Sequence, residues 1–262
     1  MRALILAAGR GRRVGDLTND TPKCLLRVAG RTLLDRQLAA LRAAGLHDIA
    51  AVRGYCGHRL EGRDLPLIHN ADWQRSGICA SLMTGRAWLD GEGGIVAYSD
   101  LVYTCDAIFE LLRHTGDIVI LHDPSWHALW QRRMSDPLSD AECFQLHPDG
   151  SVAKIGGVAH CITEIGGQYM GLLKFSASGW TTLTTAFEAL PASLRQAIDM
   201  TGMLQVLASI GIRVDATATR GAWMEIDTAA DLALCEQMIE AGEFDPAPRS
   251  RQSADHIQHG GD

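Results

Sequence analysis

The apolar residues of this chain come in short blocks separated by polar turns. Ala3-Leu4-Ile5-Leu6 is an unbroken apolar run of the length of a buried strand, predicted over 2–8. Over 33–44 the spacing changes. Leu33, Leu34, Leu38 and Leu41 follow a helical period, and Gly45 ends it. Further strands are predicted at 49–52, 65–69, 94–98 and 117–122, and helices at 76–88 and 106–113. Strand and helix alternate throughout this half, the pattern of an α/β sheet with helices on both faces. Ligands in such sheets lie at the carboxyl ends of strands.

The second half is built differently. Residues 124–140 are dense in Trp, His, Arg and Pro. Strands are predicted at 143–146, 152–155 and 169–175, the first two joined by a Pro148-Asp149-Gly150 turn. Helices are predicted at 180–188 and 193–209, and strands at 212–218 and 223–226. Thr228 is placed to cap a last helix that runs to Gly242. The polar remainder, 243–262, is expected to be a flexible tail.

Composition narrows the class. The 262 residues make one large domain or two small ones. A net charge of −7 argues against broad nucleic-acid binding, which demands basic faces, and makes the arginines near residue 10 a local feature. The seven cysteines form no C-x-x-C pair, so they are expected to be small core residues in a reduced compartment. The N-terminal run is too short for a signal peptide, and no stretch approaches the roughly 18 apolar residues of a membrane span. A cytoplasmic location is the expectation. None of the ten histidines has the spacing of a zinc site.

Three groups of residues carry candidate chemistry. The first is Leu6-Ala7-Ala8-Gly9-Arg10-Gly11-Arg12-Arg13, followed by Pro22-Lys23. Glycines let main-chain N–H groups approach an anion, and basic side chains take up its charge. This is not a dinucleotide fingerprint, because Val14 stands where a third glycine is needed, and no Gly-Lys-Ser/Thr follows to make a P-loop. A tight turn with a solvated basic patch is the plainer alternative. The second group is acidic. Asp100 closes the strand at 94–98, and Glu225 and Asp227 alternate along 223–227 and share a face. Carboxylates at strand ends are the hard ligands that Mg²⁺ takes beside substrate phosphates, though Asp227 could instead cap a helix. The third group is Trp126, Trp130, Arg132, Arg133, Glu142, Lys154, Gln168 and Tyr169. Rings beside a carboxylate box an ammonium, and Arg and Lys clamp a phosphate, but Trp and Tyr also build cores.

The stretch 6–26 resembles the signature of the nucleotidyltransferase superfamily with the GT-A-like fold, and the resemblance covers about 1–240. Within it the chain is most similar to the phosphocholine cytidylyltransferase-like branch, which includes enzymes that activate phosphonates. Asn70-Ala71-Asp72-Trp73 with Ser81-Leu82, Gly167-Gln168-Tyr169-Met170-Gly171 and Trp223-Met224-Glu225-Ile226-Asp227 carry that similarity. The resemblance implies a Rossmann-like three-layer α/β/α fold with a mixed central sheet. It implies a single domain over 1–240 with a small β-rich acceptor-binding insertion at about 124–175. The implied reaction moves CMP from CTP to a small phosphorylated or phosphonate acceptor and releases pyrophosphate. Leu6, Ala7, Ala8, Gly9, Arg10, Gly11, Arg12, Arg13, Lys23, Ser81 and Asp100 would then face the nucleotide, with Lys23, Arg13 and Asp100 catalytic. Asp100, Asp227 and Glu225 would hold Mg²⁺, and Trp126, Trp130, Arg133, Glu142, Lys154, Gln168 and Tyr169 would receive the acceptor. Two readings stay open beside it: a sugar-1-phosphate nucleotidyltransferase using UTP or dTTP, and a regulatory nucleotide-binding module without catalysis. Nucleic acid and membrane are not expected partners. The oligomeric state is open, a homodimer included.

Overall fold

The side chains of β1 (Arg2–Ala7) divide between two cores. In a computed structural model, which describes residues 1–219 and 223–243, Ala3, Ile5 and Ala7 face one core while Leu4 and Leu6 face the other. An all-apolar strand alternating in this way suits a sheet covered on both sides.

A short hairpin, β2 (Arg27–Val28) and β3 (Arg31–Thr32), leads into α1 (Leu33–Ala43), whose N-cap Thr32 accepts from the Asp35 N–H. β4 (Ile49–Arg53) and β5 (Leu67–His69) extend the sheet outward from β1. The helix predicted at 76–88 is two, α2 (Ile78–Thr84) and α3 (Arg86–Leu89). The break is Gly85, where a Cβ would lie 2.5 Å from the Leu4 side chain. β6 (Gly94–Tyr98) flanks β1 on its other side, and β7 (Leu101–Tyr103) leaves the sheet. α4 (Cys105–Arg113) and β8 (Ile118–Asp123) follow.

The Trp-rich span holds α5 (Trp126–Arg133), a helix that buries Trp126 and Trp130. β9 (Glu142–Leu146) and β10 (Val152–Val158) form a separate antiparallel pair. β11 (Gln168–Phe175) then enters the main sheet between β6 and β8. α6 (Ala177–Ala189) is followed by α7 (Ala192–Ala197) and α8 (Met200–Ser209) in place of one helix at 193–209. Asp199 breaks the run: its backbone is extended and its side chain caps α8 at the Gly202 N–H. β12 (Asp215–Ala218) ends the sheet, β13 (Trp223–Glu225) pairs with β7, and α9 (Ala229–Glu240) starts at a capping box of Thr228 and Asp231.

The seven-stranded sheet has the order β12-β8-β11-β6-β1-β4-β5, and β11 alone runs antiparallel to its neighbours. The mixed α/β architecture implied by the sequence is the one observed. Of the span 124–175, α5 and the β9–β10 pair lie outside this sheet, while β11 is an interior strand of it. A third, smaller core joins Val14, Leu26 and Leu33 to Val102, Met224, Ile226 and Cys235. It packs the loop after β1 onto β7, β13 and α9. All seven cysteines are free and five of them are buried, as expected for small core residues. The tail expected at 243–262 lies, beyond Glu243, outside the described residues. Among the described residues no helix is long and apolar enough to cross a membrane.

Candidate active site

The glycine-arginine loop leaves β1 at its carboxyl end. Leu6, Ala7 and Ala8 are buried, so their side chains belong to the cores and only their main chain leads into the loop. Gly9, Arg12 and Arg13 are exposed beyond them. Gly11 takes a left-handed conformation (φ +68°), and a Cβ there would lie 2.8 Å from Lys23 Cδ. Glycine at this position lets the lysine stem lie against the loop. The Thr18 hydroxyl, 3.2 Å from the Gly11 carbonyl and 3.1 Å from that of Gly15, ties the loop back on itself. Arg10 donates to Asn19 Oδ1 and lies over the Tyr55 ring.

A strand pair brings the distant acids together. Asp100 directly precedes β7, and Asp227 follows β13. The two strands run antiparallel with Glu225 opposite Leu101, and the Ile226 N–H donates to the Asp100 carbonyl at 3.0 Å. Lys23 Nζ sits between the carboxylates, 2.9 Å from Asp100 Oδ2 and 2.7 Å from Asp227 Oδ1. Burial alone would lower the pKa of this ammonium, but Asp100 and Asp227 outweigh it and raise the pKa. Arg13 adds a contact to Asp227 Oδ1 at 2.9 Å and another to Asp140 Oδ1 at 3.3 Å.

Glu225 completes the cluster. One oxygen each of Asp100, Glu225 and Asp227 lie within 4.8 Å of one another. Burial first, then Asp227 and Asp100, pushes the Glu225 carboxyl up to about 8. Asp100 Oδ1 is buried with no hydrogen-bond partner among the described residues. Three converging carboxylate oxygens, with a further buried oxygen unpartnered, fit a hard divalent cation.

A cavity of about 310 Å³ opens beside this cluster, and Glu142, Gln168 and Tyr169 share its wall with Arg13, Glu225 and Asp227. Burial raises the Glu142 carboxyl pKa. Tyr98 and Tyr169 meet edge to face on the same wall. Lys154 lines an adjoining cavity, of about 590 Å³, that shares Asp199 and Thr201 with the first.

Three residues expected at the acceptor lie elsewhere. Trp126 and Trp130 are core residues, 2% and 0% exposed, because they stand one helical turn apart on the buried face of α5. Their indoles donate to the Ile165 carbonyl and to Asp140 Oδ2. Arg133 is buried behind the acids rather than turned toward the cavity, where it pairs with Glu225, Asp227 and Asp231. Ser81 is also buried and accepts from Asn70 Nδ2 at 2.9 Å. The sequence reading missed Tyr98, Asp140, Asp199 and Thr201. Asp199 alone carried a local signal, as the cap in Asp199-Met200-Thr201-Gly202.

Known proteins resemble this chain in sequence and in fold. Residues 3–151 match the MobA-like NTP transferase domain. The chain is 30% identical over 248 residues to the CTP:phosphoglutamine cytidylyltransferase of Campylobacter jejuni, covering 88% of this chain and 98% of that one. It is 28% identical over 159 residues to the 2-aminoethylphosphonate cytidylyltransferase of Lancefieldella rimae, covering 59% and 60% of the two chains. The structure of the inositol-1-phosphate CTP transferase from T. maritima superposes with a TM-score of 0.72 at 20% identity, over 92% of this chain and 96% of that one, and so shares its fold. With the cradle after β1, the paired acids and these matches in hand, the chain belongs to the MobA-like NTP transferase domain family and is a nucleotidyltransferase.

Proposed function

We propose that the chain is a cytidylyltransferase that joins the CMP part of CTP to a small phosphorylated or phosphonate acceptor. The observation that carries this reading is Lys23, held against both Asp100 and Asp227, beside a cavity walled by Glu142, Gln168 and Tyr169. An acceptor oxyanion attacks the α-phosphorus. The new P–O bond forms as the bond to the bridging oxygen breaks, and pyrophosphate leaves with that electron pair. The oxyanion is already ionised at neutral pH, so the protein's work is alignment and charge neutralisation. The N–H groups of the Gly9–Gly11 loop and Arg13 take the β- and γ-phosphates, and Lys23 bridges the reacting phosphoryl groups. Asp100, Glu225 and Asp227 would hold Mg²⁺, which when bound would supply charge neutralisation at the reacting phosphates.

On the acceptor side, Glu142, Asp199 and the Tyr98–Tyr169 pair line the cavity. Carboxylates beside aromatic rings suit an ammonium-bearing tail. Phosphoglutamine and 2-aminoethylphosphonate, the acceptors named for two relatives, are of that kind. Pyrophosphate release is the test. CTP, UTP and dTTP are each paired with phosphoglutamine, 2-aminoethylphosphonate, phosphocholine, inositol-1-phosphate and glucose-1-phosphate. Release is expected with CTP and an ammonium-bearing acceptor. Release confined to UTP or dTTP with glucose-1-phosphate overturns the reading, as does nucleotide binding with no release in any pair.

A further inference from the structure

Three cations serve the acidic cluster, and they are not equivalent. The side chain of Arg13 is 63% exposed, and that of Lys23, 8% exposed, reaches the acids by its tip from the first residue of a short 3-10 helix, Lys23–Leu25. The Arg133 side chain is 1% exposed and comes from α5, behind the cluster. Its guanidinium lies 4.5 Å from the centre of the Trp130 ring, and its Nε donates to Asp231 Oδ1 at 2.9 Å. Nη1 lies 3.5 Å from Glu225 Oε2, and Nη2 lies 3.6 Å from Asp227 Oδ2.

The two oxygens of Asp227 are thereby divided. Oδ1 faces Lys23 and Arg13, and Oδ2 faces Arg133. The fork itself grips Asp231, with Nε 2.9 Å from Oδ1 and Nη2 3.5 Å from Oδ2, while its contacts to Glu225 and Asp227 are ion pairs without a hydrogen bond. A planar fork held in this way is a better fixed charge than a flexible ammonium. Asp231, the other partner of Arg133, also accepts from the Asp227 and Thr228 N–H groups at 3.1 and 2.8 Å. Arg133 is therefore tied to both the side chain and the main chain of Asp227.

We infer that Arg133 is a positioning residue: a fixed cation that orients Glu225 and Asp227 from behind and offsets part of their charge, leaving Lys23 and Arg13 for the phosphates. This rests on the reading of Asp100, Glu225 and Asp227 as metal ligands. A carboxylate behind a metal ligand raises that ligand's basicity; a cation in the same place lowers it. Removing the Arg133 charge then tightens the hold of the nucleotide-free site on a divalent cation, while lost orientation slows transfer.

The test follows Mn²⁺ binding to nucleotide-free protein by electron paramagnetic resonance, alongside pyrophosphate release. Arg133→Met is expected to bind Mn²⁺ roughly tenfold more tightly and to lower kcat by ~10- to 100-fold. Arg133→Lys keeps the charge and loses the fork, so its Mn²⁺ affinity should stay near that of the parent while kcat falls. A purely structural arginine gives the opposite pattern, with weaker Mn²⁺ binding in step with a lower melting temperature. Arg133→Met that binds Mn²⁺ no more tightly than the parent, or Arg133→Lys with parental kcat, overturns the role. Arg133→Gln, which keeps an N–H donor for Asp231, is read by the same criteria where Arg133→Met does not fold. A parent protein that binds no Mn²⁺ sinks the metal assignment itself, a separate result from failure of the Arg133 role.

Discussion

Lys23 is 7% exposed and touches two carboxylates from distant parts of the chain. Alanine there removes the ammonium proposed to bridge the reacting phosphates and leaves Asp100 and Asp227 without the cation that sits between them. Lys23→Ala is expected to lower kcat by ~10²- to 10³-fold with an unchanged far-ultraviolet circular dichroism spectrum; turnover near the parental rate would show that the lysine only neutralises its neighbours. His122 gives a pH signature. It is 6% exposed, stacked on Phe144, and burial holds its imidazole below the ordinary value of about 6.5. The unfolded chain takes up this proton more readily, so the contribution is full above that value and lost as pH falls below it. The melting temperature should therefore drop less between about pH 7 and pH 5 in His122→Gln than in the parent; parallel profiles would exclude the effect. Lys23, Asp100 and Asp227 were legible as candidates because each stands beside a local signal, a proline, a strand end or a helix cap. Arg132 and Arg133 read alike in the sequence. The helical phase of α5 separates them, sending Arg132 outward to Glu243 and Arg133 inward to the acids.

At the level of elements, β11 shapes the cavity through an irregularity. Its register against β8 shifts between Tyr169 and Leu173, and within that shift Gly171 takes φ +71°. A Cβ at Gly171 would lie 2.7 Å from the Tyr98 ring. Gly171→Val forces that ring to move, so the KM for the acceptor should rise ~10-fold or more, with the KM for CTP changing less. Equal rises in both would place the defect in the whole strand. The same irregularity was invisible in the sequence, where 169–175 looks like an ordinary strand. Two helices were drawn too long for a related reason. Gly85 and Asp199 break them through contacts with Leu4 and a cap at Gly202, and neither contact leaves a mark on hydrophobic spacing. β7 is three residues long, too short to carry a period, yet it sets the register of Asp227 against Asp100.

Across the whole molecule, two apolar cores sandwich one sheet, and the acidic cluster stands on β7 and β13, whose Val102, Met224 and Ile226 belong to the third, smaller core. Those cores bury their side chains without help from an ion. Stripping divalent cations with EDTA is therefore expected to stop turnover reversibly and to leave the melting temperature nearly unchanged. Collapse of the fold with the activity would make the cluster structural. The architecture was readable because alternating strands and helices constrain an α/β sheet strongly. The walls of the cavity were harder, since beside Arg13 and the β13 acids they draw on β6, Asp140, β9, β11 and the cap of α8, places with no common local signature. One further consequence concerns synthesis. Lys23 and Asp227 stand 204 positions apart in sequence and meet at 2.7 Å. A growing chain on the ribosome thus carries the proposed phosphate loop early but lacks the opposing acid until residue 227 has emerged. On the proposed mechanism, turnover then reports that synthesis has passed Asp227 and β13 has paired with β7.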